Sequence, residues 1–214
     1  MVGCGGQGRE IGRMLVDNGV DVVGYVDDQP SELNLARVAQ QGRRYLGGRD
    51  SIGSSGATHY VIGIANGRVR EILAPVAESN GLLPFTFVHP AATVGSDCVI
   101  GPGCVIWAGA RLTTNVQVGT QVHINQNVTI GHDTTISDFV TINPSAAISG
   151  EVRLHRRVLI GASSVVLQGL DVASDAIVGA SACAVSSVPP GAIAKGVPAR
   201  WQESPAQRTE TNRL

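Results

Sequence analysis

The sequence predicts two parts of different fold: an N-terminal Rossmann-like α/β domain and a longer all-β parallel β-helix. Two observations indicate the β-helix. An aliphatic or small residue returns at every sixth position from Val94 to Ala184, and a second apolar or small residue follows each one four places later, from Cys98 to Val188. A third observation indicates the α/β domain, because a Gly-rich turn and short apolar segments alternate over the first eighty residues.

A period of six differs from the 3.6 of an amphipathic helix and the two of an ordinary strand. It is typical of hexapeptide-repeat solenoids, in which three hexads form one triangular coil of eighteen residues. Both repeated residues are expected to point into a narrow apolar interior. Gly at the second hexad position, with Asn125 and Asn143, is expected at corners that need unusual backbone angles. Sixteen hexads in phase predict just over five coils without insertions.

Composition and charge exclude several classes of protein. The 214 residues have a net charge of −1 with both signs scattered, so we expect no nucleic-acid partner and no anionic membrane surface. No signal peptide and no apolar run near eighteen residues is evident, which predicts a soluble, cytoplasmic protein without membrane insertion. Cys98 and Cys104 occupy inward positions of adjacent hexads, so they are predicted to be core thiols rather than a disulfide.

These patterns predict a Rossmann-like domain over residues 1–83, the β-helix over residues 84–200 and a polar tail over residues 201–214. The predicted elements of the first domain are, in order, the Gly-rich loop 3–8, a helix over 9–18, a strand over 20–26, a helix over 33–41, a strand over 59–64 and a helix over 68–80. Only Met1 and Val2 precede the loop, so we expect either that the first strand is truncated or that the start codon is assigned too late.

The Gly-rich loop is a candidate nucleotide site. Its free backbone N–H groups at a helix start suit a phosphate, and Asp27, nineteen residues after the last glycine, can bond a ribose or a base edge. A loop that merely allows close packing is the alternative interpretation. The candidate residues of this loop are Gly3, Gly5, Gly6, Gln7 and Gly8.

The β-helix contains three histidines, His123, His132 and His155, which raises the question of a metal site. Residues eighteen apart stack in one column, and the three fall in different columns, so no metal is expected. His132 is a better candidate for a general base, because Asp133 follows it and Gly150 lies one coil above it. These residues can supply a base, its orienting carboxylate and an N–H for an oxyanion. A solvated surface histidine is the alternative.

The segment from Ile124 to Phe139, INQNVTIGHDTTISDF, resembles the catalytic segment of the sugar O-acyltransferase family. This family includes sialic acid O-acetyltransferases and bacterial UDP-4-amino-sugar N-acetyltransferases. The similarity covers nearly the full chain and extends to the Gly-rich loop, Asp27-Asp28, Ile64-Ala65-Asn66, His89-Pro90 and Gly196-Val197-Pro198-Ala199. The chain differs from other members at Gln7, Gln126 and Thr141, where they often carry histidine, and at Ala65, where they carry glycine.

The resemblance implies a left-handed β-helix, a homotrimer, and acetyl-CoA bound in the cleft between neighbouring subunits. It implies a catalytic base at His132, oriented by Asp133, with the Gly150 N–H facing the oxyanion. It adds Asp28 and Asn66 to the nucleotide-sugar site. The residues implied along the CoA path are Gly161, Ala162, Gly179, Ala180, Lys195, Pro198 and Arg200. For Lys195 and Arg200, ordinary surface charge is an equal alternative.

The predicted function is therefore acetyl transfer from acetyl-CoA to an amine or hydroxyl of a sugar or nucleotide sugar. Two alternatives from other classes stay open: a metal hydratase resembling the gamma-class carbonic anhydrases, and a β-helix scaffold that binds a nucleotide sugar without turnover.

Overall fold

The structure is a computed structural model that describes residues 1–201. The chain forms two compact units, Met1–Phe87 and a second unit that begins at Val88. The predicted polar tail lies, from residue 202 onward, outside the described residues. Within residues 1–201, no helix has the length and apolar character needed to cross a bilayer.

The N-terminal unit is a small parallel sheet with helices. Strand β1 (Tyr25–Val26) pairs with β2 (Tyr45–Gly47) and strand β3 (His59–Tyr60) with β4 (Leu83–Pro84), all in parallel, and Val2 bridges both Val26 and Ile62. The order is thus β2, β1, Val2, β3, β4, which is the strand order of a Rossmann-type sheet and confirms the predicted class. Its elements are α1 (Gly6–Asp17), β1 (Tyr25–Val26), α2 (Glu32–Gln40), β2 (Tyr45–Gly47), a 3₁₀ turn (Arg49–Ser51), β3 (His59–Tyr60), α3 (Gly67–Ser79) and β4 (Leu83–Pro84).

Between β1 and β3, the sheet is continued by the bridging residue Val2. Val2 N–H donates to the Val61 carbonyl and Gly3 N–H to the Val26 carbonyl. The predicted strand over residues 20–26 is paired only at Tyr25 and Val26. A parallel strand needs backbone partners alongside, and the neighbouring segment supplies them only near Val2. Strands β2 and β4 carry no clear sequence signal and were not predicted.

The second unit is a parallel β-helix built from two-residue strands. From Phe87 to Ala184 the strands follow one another at six-residue intervals, and each pairs with the strand eighteen residues away, which confirms the predicted coil. The strands are β5 (Phe87–Val88), β6 (Thr93–Val94), β7 (Val99–Ile100), β8 (Val105–Ile106), β9 (Arg111–Leu112), β10 (Gln117–Val118), β11 (His123–Ile124), β12 (Thr129–Ile130), β13 (Thr135–Ile136), β14 (Thr141–Ile142), β15 (Ala147–Ile148), β16 (Arg153–Leu154), β17 (Leu159–Ile160), β18 (Val165–Val166), β19 (Asp171–Val172), β20 (Ile177–Val178), β21 (Cys183–Ala184) and β22 (Ile193–Ala194).

The strands stack into three sheets around one apolar core. The hexad aliphatics and the residues four places after them fill this core, as predicted, and β-branched side chains suit such a flat, narrow interior. Two core positions are polar. Thr134 and Ser164 are fully buried, and their hydroxyls donate to the carbonyls of Ser149 and Gly161. Cys104 is buried in this core and Cys98 packs against it, both as free thiols, as expected.

The backbone angles at the corners of the coil differ from the expectation in one respect. Unusual backbone angles occur at the fourth hexad position, not at the second, where the glycines and Asn125 and Asn143 stand. Eleven non-glycine residues, from Asn115 to Ser181, have φ between +52° and +62°. Glycine at the second position serves stacking instead: a Cβ on Gly131 or Gly161 would lie within 2.5 Å of a backbone nitrogen one coil above.

Two edges of the triangular coil carry the residues predicted for catalysis and for CoA. The His132 edge comprises residues 95–97, 113–115, 131–133, 149–151 and 167–169. The small-residue edge comprises residues 161–163 and 179–181, with residues 195–200 after them. The chain passes from residues 125–127, below the small-residue edge, through β12 to residues 131–133, so a whole sheet face separates the two edges.

Candidate active site

The His132 edge carries a histidine paired with its neighbouring carboxylate. His132 Nδ1 lies 2.7 Å from Asp133 Oδ2. This contact between consecutive residues is possible because Asp133 has φ +58°, which turns its side chain back toward the imidazole. Nδ1 beside a carboxylate carries the proton, so Nε2 is the free base. About half of each side chain is exposed, so Nε2 can reach a bound molecule.

Gly150 lies directly against this imidazole, as the eighteen-residue spacing predicts. A Cβ on Gly150 would stand 2.5 Å from His132 Nε2 and 2.6 Å from Cε1. Within residues 1–201, the Gly150 N–H donates to no acceptor. A Cβ on Gly131 would lie 2.5 Å from this nitrogen, so glycine at position 131 leaves it uncovered. The His132 imidazole and the free N–H of Gly150 therefore lie on the same edge of the coil.

Two residues of this edge were missed by the sequence analysis. Asn115, one coil below Asp133, donates from Nδ2 to Asp133 Oδ1 at 2.7 Å. Glu151, one coil above Asp133, is exposed. The Asn115 hydrogen bond, followed by that of His132, holds the pKa of Asp133 below its usual value of 3.8. The eighteen-residue spacing that identified Gly150 above His132 also places Asn115 below Asp133 and Glu151 above it.

The three histidines of the β-helix do not converge. His123 is buried on strand β11, whereas His155 follows β16 and contacts Asp171 at 3.1 Å. The ligand atoms of His132, Asp133 and Glu151 lie within 4.8 Å of one another, but all three side chains are exposed. A single exposed histidine with two carboxylates is a weak donor set for zinc, which is usually held by several buried nitrogen or sulfur ligands.

The small-residue edge has room for a ligand on its surface, although its glycines also serve stacking. Gly161 is buried and sits beneath Ala180, so the close approach of coils already requires a glycine there. Ala162 is half-buried, and a Cβ on Gly179 would lie 3.3 Å from the Ala194 carbonyl oxygen, slightly closer than an ordinary contact. This edge aligns the four predicted residues Gly161, Ala162, Gly179 and Ala180.

Two cations lie at the end of this edge. Lys195 and Arg200 face each other across an antiparallel bridge, with N–H to O distances of 2.8 and 2.9 Å. The turn between them contains Pro198, whose peptide bond with Val197 is cis. Neither side chain pairs with a carboxylate among the described residues, although Arg200 donates to the Ala199 carbonyl. Like charges opposite each other repel, so an anion would stabilise this arrangement.

The Gly-rich loop of the N-terminal unit serves both of the interpretations that the sequence left open. Gly8 packs tightly, since a Cβ there would lie 2.0 Å from the Gly3 carbonyl oxygen. Gly5 and Gly6 face open space at the start of α1, which has no side-chain cap and no acidic residue in its first turn. The helix start can thus accept an anion. Gln7 lies in the first turn of α1 and is half-buried.

The two aspartates after β1, Asp27 and Asp28, make different contacts. Asp27 accepts the backbone N–H of Cys4 at 2.9 Å and that of Gln29 at 3.1 Å, so it fixes the loop. Burial, followed by the contacts with Asp27, raises the pKa of the Cys4 thiol to about 11. Asp28 binds Arg49, whose backbone N–H and Nε donate at 2.7 and 2.6 Å.

A cavity of about 420 Å³ lies at this end of the sheet and is lined by Gly3, Asp27, Asp28, Arg49 and Ile64, among others. The remaining predicted substrate residues, Gly5, Gly6, Gln7, Gly8 and Asn66, do not line it. Asn66 caps α3 by accepting the Arg68 N–H. No sequence signal pointed to Arg49, because its partner is twenty-one residues away.

Two protein-family models match the chain. Residues 1–75 match the PglD N-terminal domain, and residues 84–114 match the bacterial transferase hexapeptide repeat. Together with the fold, these matches confirm the resemblance found in the sequence. The chain joins a PglD-type N-terminal domain to hexapeptide repeats of the left-handed β-helix type.

Several solved structures that are similar to the chain are sugar acetyltransferases. PerB from Caulobacter crescentus, in complex with CoA and GDP-perosamine, is 25% identical with a TM-score of 0.86, over 94% of this chain and 95% of that one. The acetyltransferase domain of PglB from Neisseria gonorrhoeae, in complex with acetyl coenzyme A, is 25% identical with a TM-score of 0.81, over 94% and 97%.

A mutant of perosamine N-acetyltransferase from Caulobacter crescentus, also bound to CoA and GDP-perosamine, is 24% identical with a TM-score of 0.86, over 95% of both chains. At 24% identity, this similarity supports the fold alone. A search of curated proteins finds no match.

Proposed function

We propose that this protein transfers the acetyl group of acetyl-CoA to an amine of a sugar carried by a nucleotide. The observation that carries the proposal is the geometry of the His132 edge, where an oriented imidazole and a free backbone N–H lie in contact. The similar structures support the same class of reaction, because PglB binds acetyl coenzyme A and PerB binds CoA with GDP-perosamine.

The reaction follows from these groups. The bound ammonium first releases one proton to solvent. The neutral amine then attacks the thioester carbonyl, and His132 Nε2 takes the second proton that the amine loses. The carbonyl oxygen becomes an oxyanion that accepts the Gly150 N–H. The intermediate expels the CoA thiolate, which takes the proton from the imidazolium, so the products are the N-acetyl sugar and CoA. Asp133 keeps Nδ1 protonated throughout and stabilises the imidazolium.

An amine acceptor suits the charges of this edge. Asp97, Asp133 and Glu151 are exposed carboxylates stacked along it. Together they attract an ammonium group, the resting form of an amino sugar, more strongly than a neutral hydroxyl. PerB, among the similar structures, binds GDP-perosamine, a nucleotide-linked amino sugar.

Acetyl-CoA fits the small-residue edge in this proposal. Its pantetheine would run over Gly161, Ala162, Gly179 and Ala180, and its phosphates would bind the two opposed cations at positions 195 and 200 beside Pro198. The nucleotide of the acceptor would lie in the N-terminal unit, with a phosphate at the start of α1 near Gly5 and Gly6. There Asp28, paired with Arg49, would line the base or ribose site.

The distance between the two edges favours a homotrimer with shared sites. A sheet face lies between the His132 edge and the small-residue edge of one copy. In a closed threefold ring, one surface patch meets a different patch of the next copy. Such a ring brings the small-residue edge of one copy to the His132 edge of its neighbour, so activity and assembly depend on each other.

The reaction is tested by the variants His132→Ala and Asp133→Asn, with thiol release from acetyl-CoA measured over a panel of amino-sugar nucleotides. His132→Ala should lower kcat at least a hundredfold, the range of a general base. Its thermal unfolding should be unchanged, since the side chain is half exposed. Asp133→Asn should lower kcat less than His132→Ala does, and this variant should keep its oligomeric state. Unchanged turnover in His132→Ala would refute the role of the base.

Whether each active site is shared between two subunits is tested by mixing two variants. The variant His132→Ala is combined, after reversible dissociation, with the double variant Lys195→Ala, Arg200→Ala. Mixed trimers should regain activity at low acetyl-CoA, because some clefts combine two intact edges. Each variant treated alone is the control. A mixture no more active than the sum of the controls would place both edges of a site in the same copy.

A further inference from the structure

Side chains on the His132 edge form a ladder across three coils. Asp97 Oδ2 accepts the Thr114 hydroxyl at the lowest coil, and the backbone N–H of Asn115 also donates to Asp97. These bonds lower the pKa of Asp97, with the Thr114 contact as the larger cause. They also fix the turn from which the Asn115 side chain projects.

The middle coil connects this turn to the catalytic pair. Asn115 Nδ2 donates to Asp133 Oδ1 at 2.7 Å, and the other oxygen of that carboxylate, Oδ2, lies 2.7 Å from His132 Nδ1. The Asp133 N–H also donates to the Thr114 carbonyl at 3.1 Å. Both oxygens of the carboxylate are thereby assigned, one to the amide below and one to the imidazole beside it.

The amide stands where another carboxylate would be unfavourable. Asn115 lies between Asp97 and Asp133 in one column that continues to Glu151, and no lysine or arginine forms an ion pair with these three acids among the described residues. An amide adds a donor without adding charge. The hydrogen bond from Asn115 is also the largest cause of the lowered pKa of Asp133.

We propose that Asn115 is a positioning residue of the proposed acetyl transfer. Its side-chain amide holds the Asp133 carboxylate so that Oδ2 faces His132 Nδ1, which selects the tautomer with Nε2 free. The inference rests on the proposed function for its kinetic consequence. Without the amide, Asp133 can rotate on its exposed corner, and the imidazole is free to place its proton on Nε2, where it cannot act as a base.

The test compares glycine substitutions at two left-handed corners. Asn115 has φ +52° and Asn127 has φ +57°, and both side chains are exposed, so glycine keeps the backbone of each. In Asn115→Gly, kcat should fall by roughly ten- to a hundredfold while both KM values stay within about twofold. Asn127→Gly should keep the kcat of the unmodified protein.

A third variant separates the donor from the shape of the side chain. Asn115→Asp has the same size, but it replaces the donor with a charged acceptor. Its kcat should fall at least as far as in Asn115→Gly, because the added carboxylate repels Asp133 instead of holding it in place. Wild-type kcat in Asn115→Asp, or equal losses in Asn115→Gly and Asn127→Gly, would overturn the proposal.

The tautomer itself provides a readout that does not need turnover. Two-bond ¹H–¹⁵N correlation spectra of protein labelled with [¹⁵N]histidine distinguish Nδ1–H from Nε2–H, and His132→Ala identifies the signal. The unmodified protein should show Nδ1–H at His132, and Asn115→Gly should show a large Nε2–H fraction. If no amino-sugar nucleotide is acetylated, the proposed function is wrong and this spectrum decides the role of Asn115. If His132 keeps its proton on Nδ1 in Asn115→Gly, the proposed role of Asn115 is wrong.

Discussion

A single methyl group at position 150 should disable the enzyme without unfolding it. In Gly150→Ala the new Cβ would stand 2.5 Å from His132 Nε2, 2.6 Å from Cε1 and 2.9 Å from Cδ2. Ordinary contact begins near 3.4 Å, so the imidazole must move by about 0.9 Å. The backbone of Gly150 is compatible with alanine, because its φ is not positive. The exposed ring can move, so the free energy of unfolding should change little.

The catalytic effect should be much larger. A misplacement of about 1 Å in a reacting group can lower the rate by roughly a hundredfold. Alanine keeps the backbone N–H, so the predicted loss reports displacement of the base and not loss of the oxyanion donor. We expect kcat to fall by about a hundredfold, measured as thiol release from acetyl-CoA with the best amino-sugar nucleotide.

A double-mutant cycle tests the reason for that loss. In the background of His132→Ala the clashing ring is gone, so adding Gly150→Ala should change the residual rate by less than about twofold. Equal effects of Gly150→Ala in both backgrounds would show that the methyl group acts elsewhere. A kcat of Gly150→Ala equal to that of the unmodified protein would refute the contact between ring and glycine.

Two further predictions concern the CoA site and the buried thiol. The double variant Lys195→Ala, Arg200→Ala should raise the KM for acetyl-CoA about tenfold and leave the KM for S-acetylpantetheine, which lacks the distal phosphates, unchanged; an equal rise for both would contradict the phosphate role. Because the pKa of Cys4 is raised to about 11, its thiol stays protonated at all pH values well below 11. Iodoacetamide at pH 8 should therefore modify Cys183, which is half-buried on strand β21, but not Cys4 until denaturant is added, and early labelling of Cys4 by peptide mass would contradict its burial.

The β-helix could be predicted almost residue by residue because its rule is arithmetic. One period of six fixes which side chains point inward, and its multiple of eighteen fixes which residues touch across coils. That rule placed Gly150 against His132 correctly. Applied to Asp133, it would also have found Asn115 and Glu151, which were overlooked because only the glycine above the histidine was sought.

The N-terminal unit was less predictable for a physical reason. Its pairings join residues that no fixed period relates, such as Asp28 with Arg49 and Asp27 with the N–H of Cys4. The two short strands β2 and β4 gave no apolar run long enough to recognise. The corner angles were misassigned for another reason: glycine often indicates a positive φ, whereas at the second hexad position it reflects close approach of the coils.

The coil length of eighteen residues also constrains how such a chain can change over evolution. The contacts of Asn115 with Asp133 and of Gly150 with His132 each span one full turn of the prism, so a whole coil can be gained or lost beyond them without disturbing those contacts. A one-residue insertion between His132 and Gly150 that is threaded through the coil would place Ser149 against the imidazole and move each later core residue out of its inward position. Insertions threaded through the coil therefore preserve both the core and the candidate site only in units of eighteen residues.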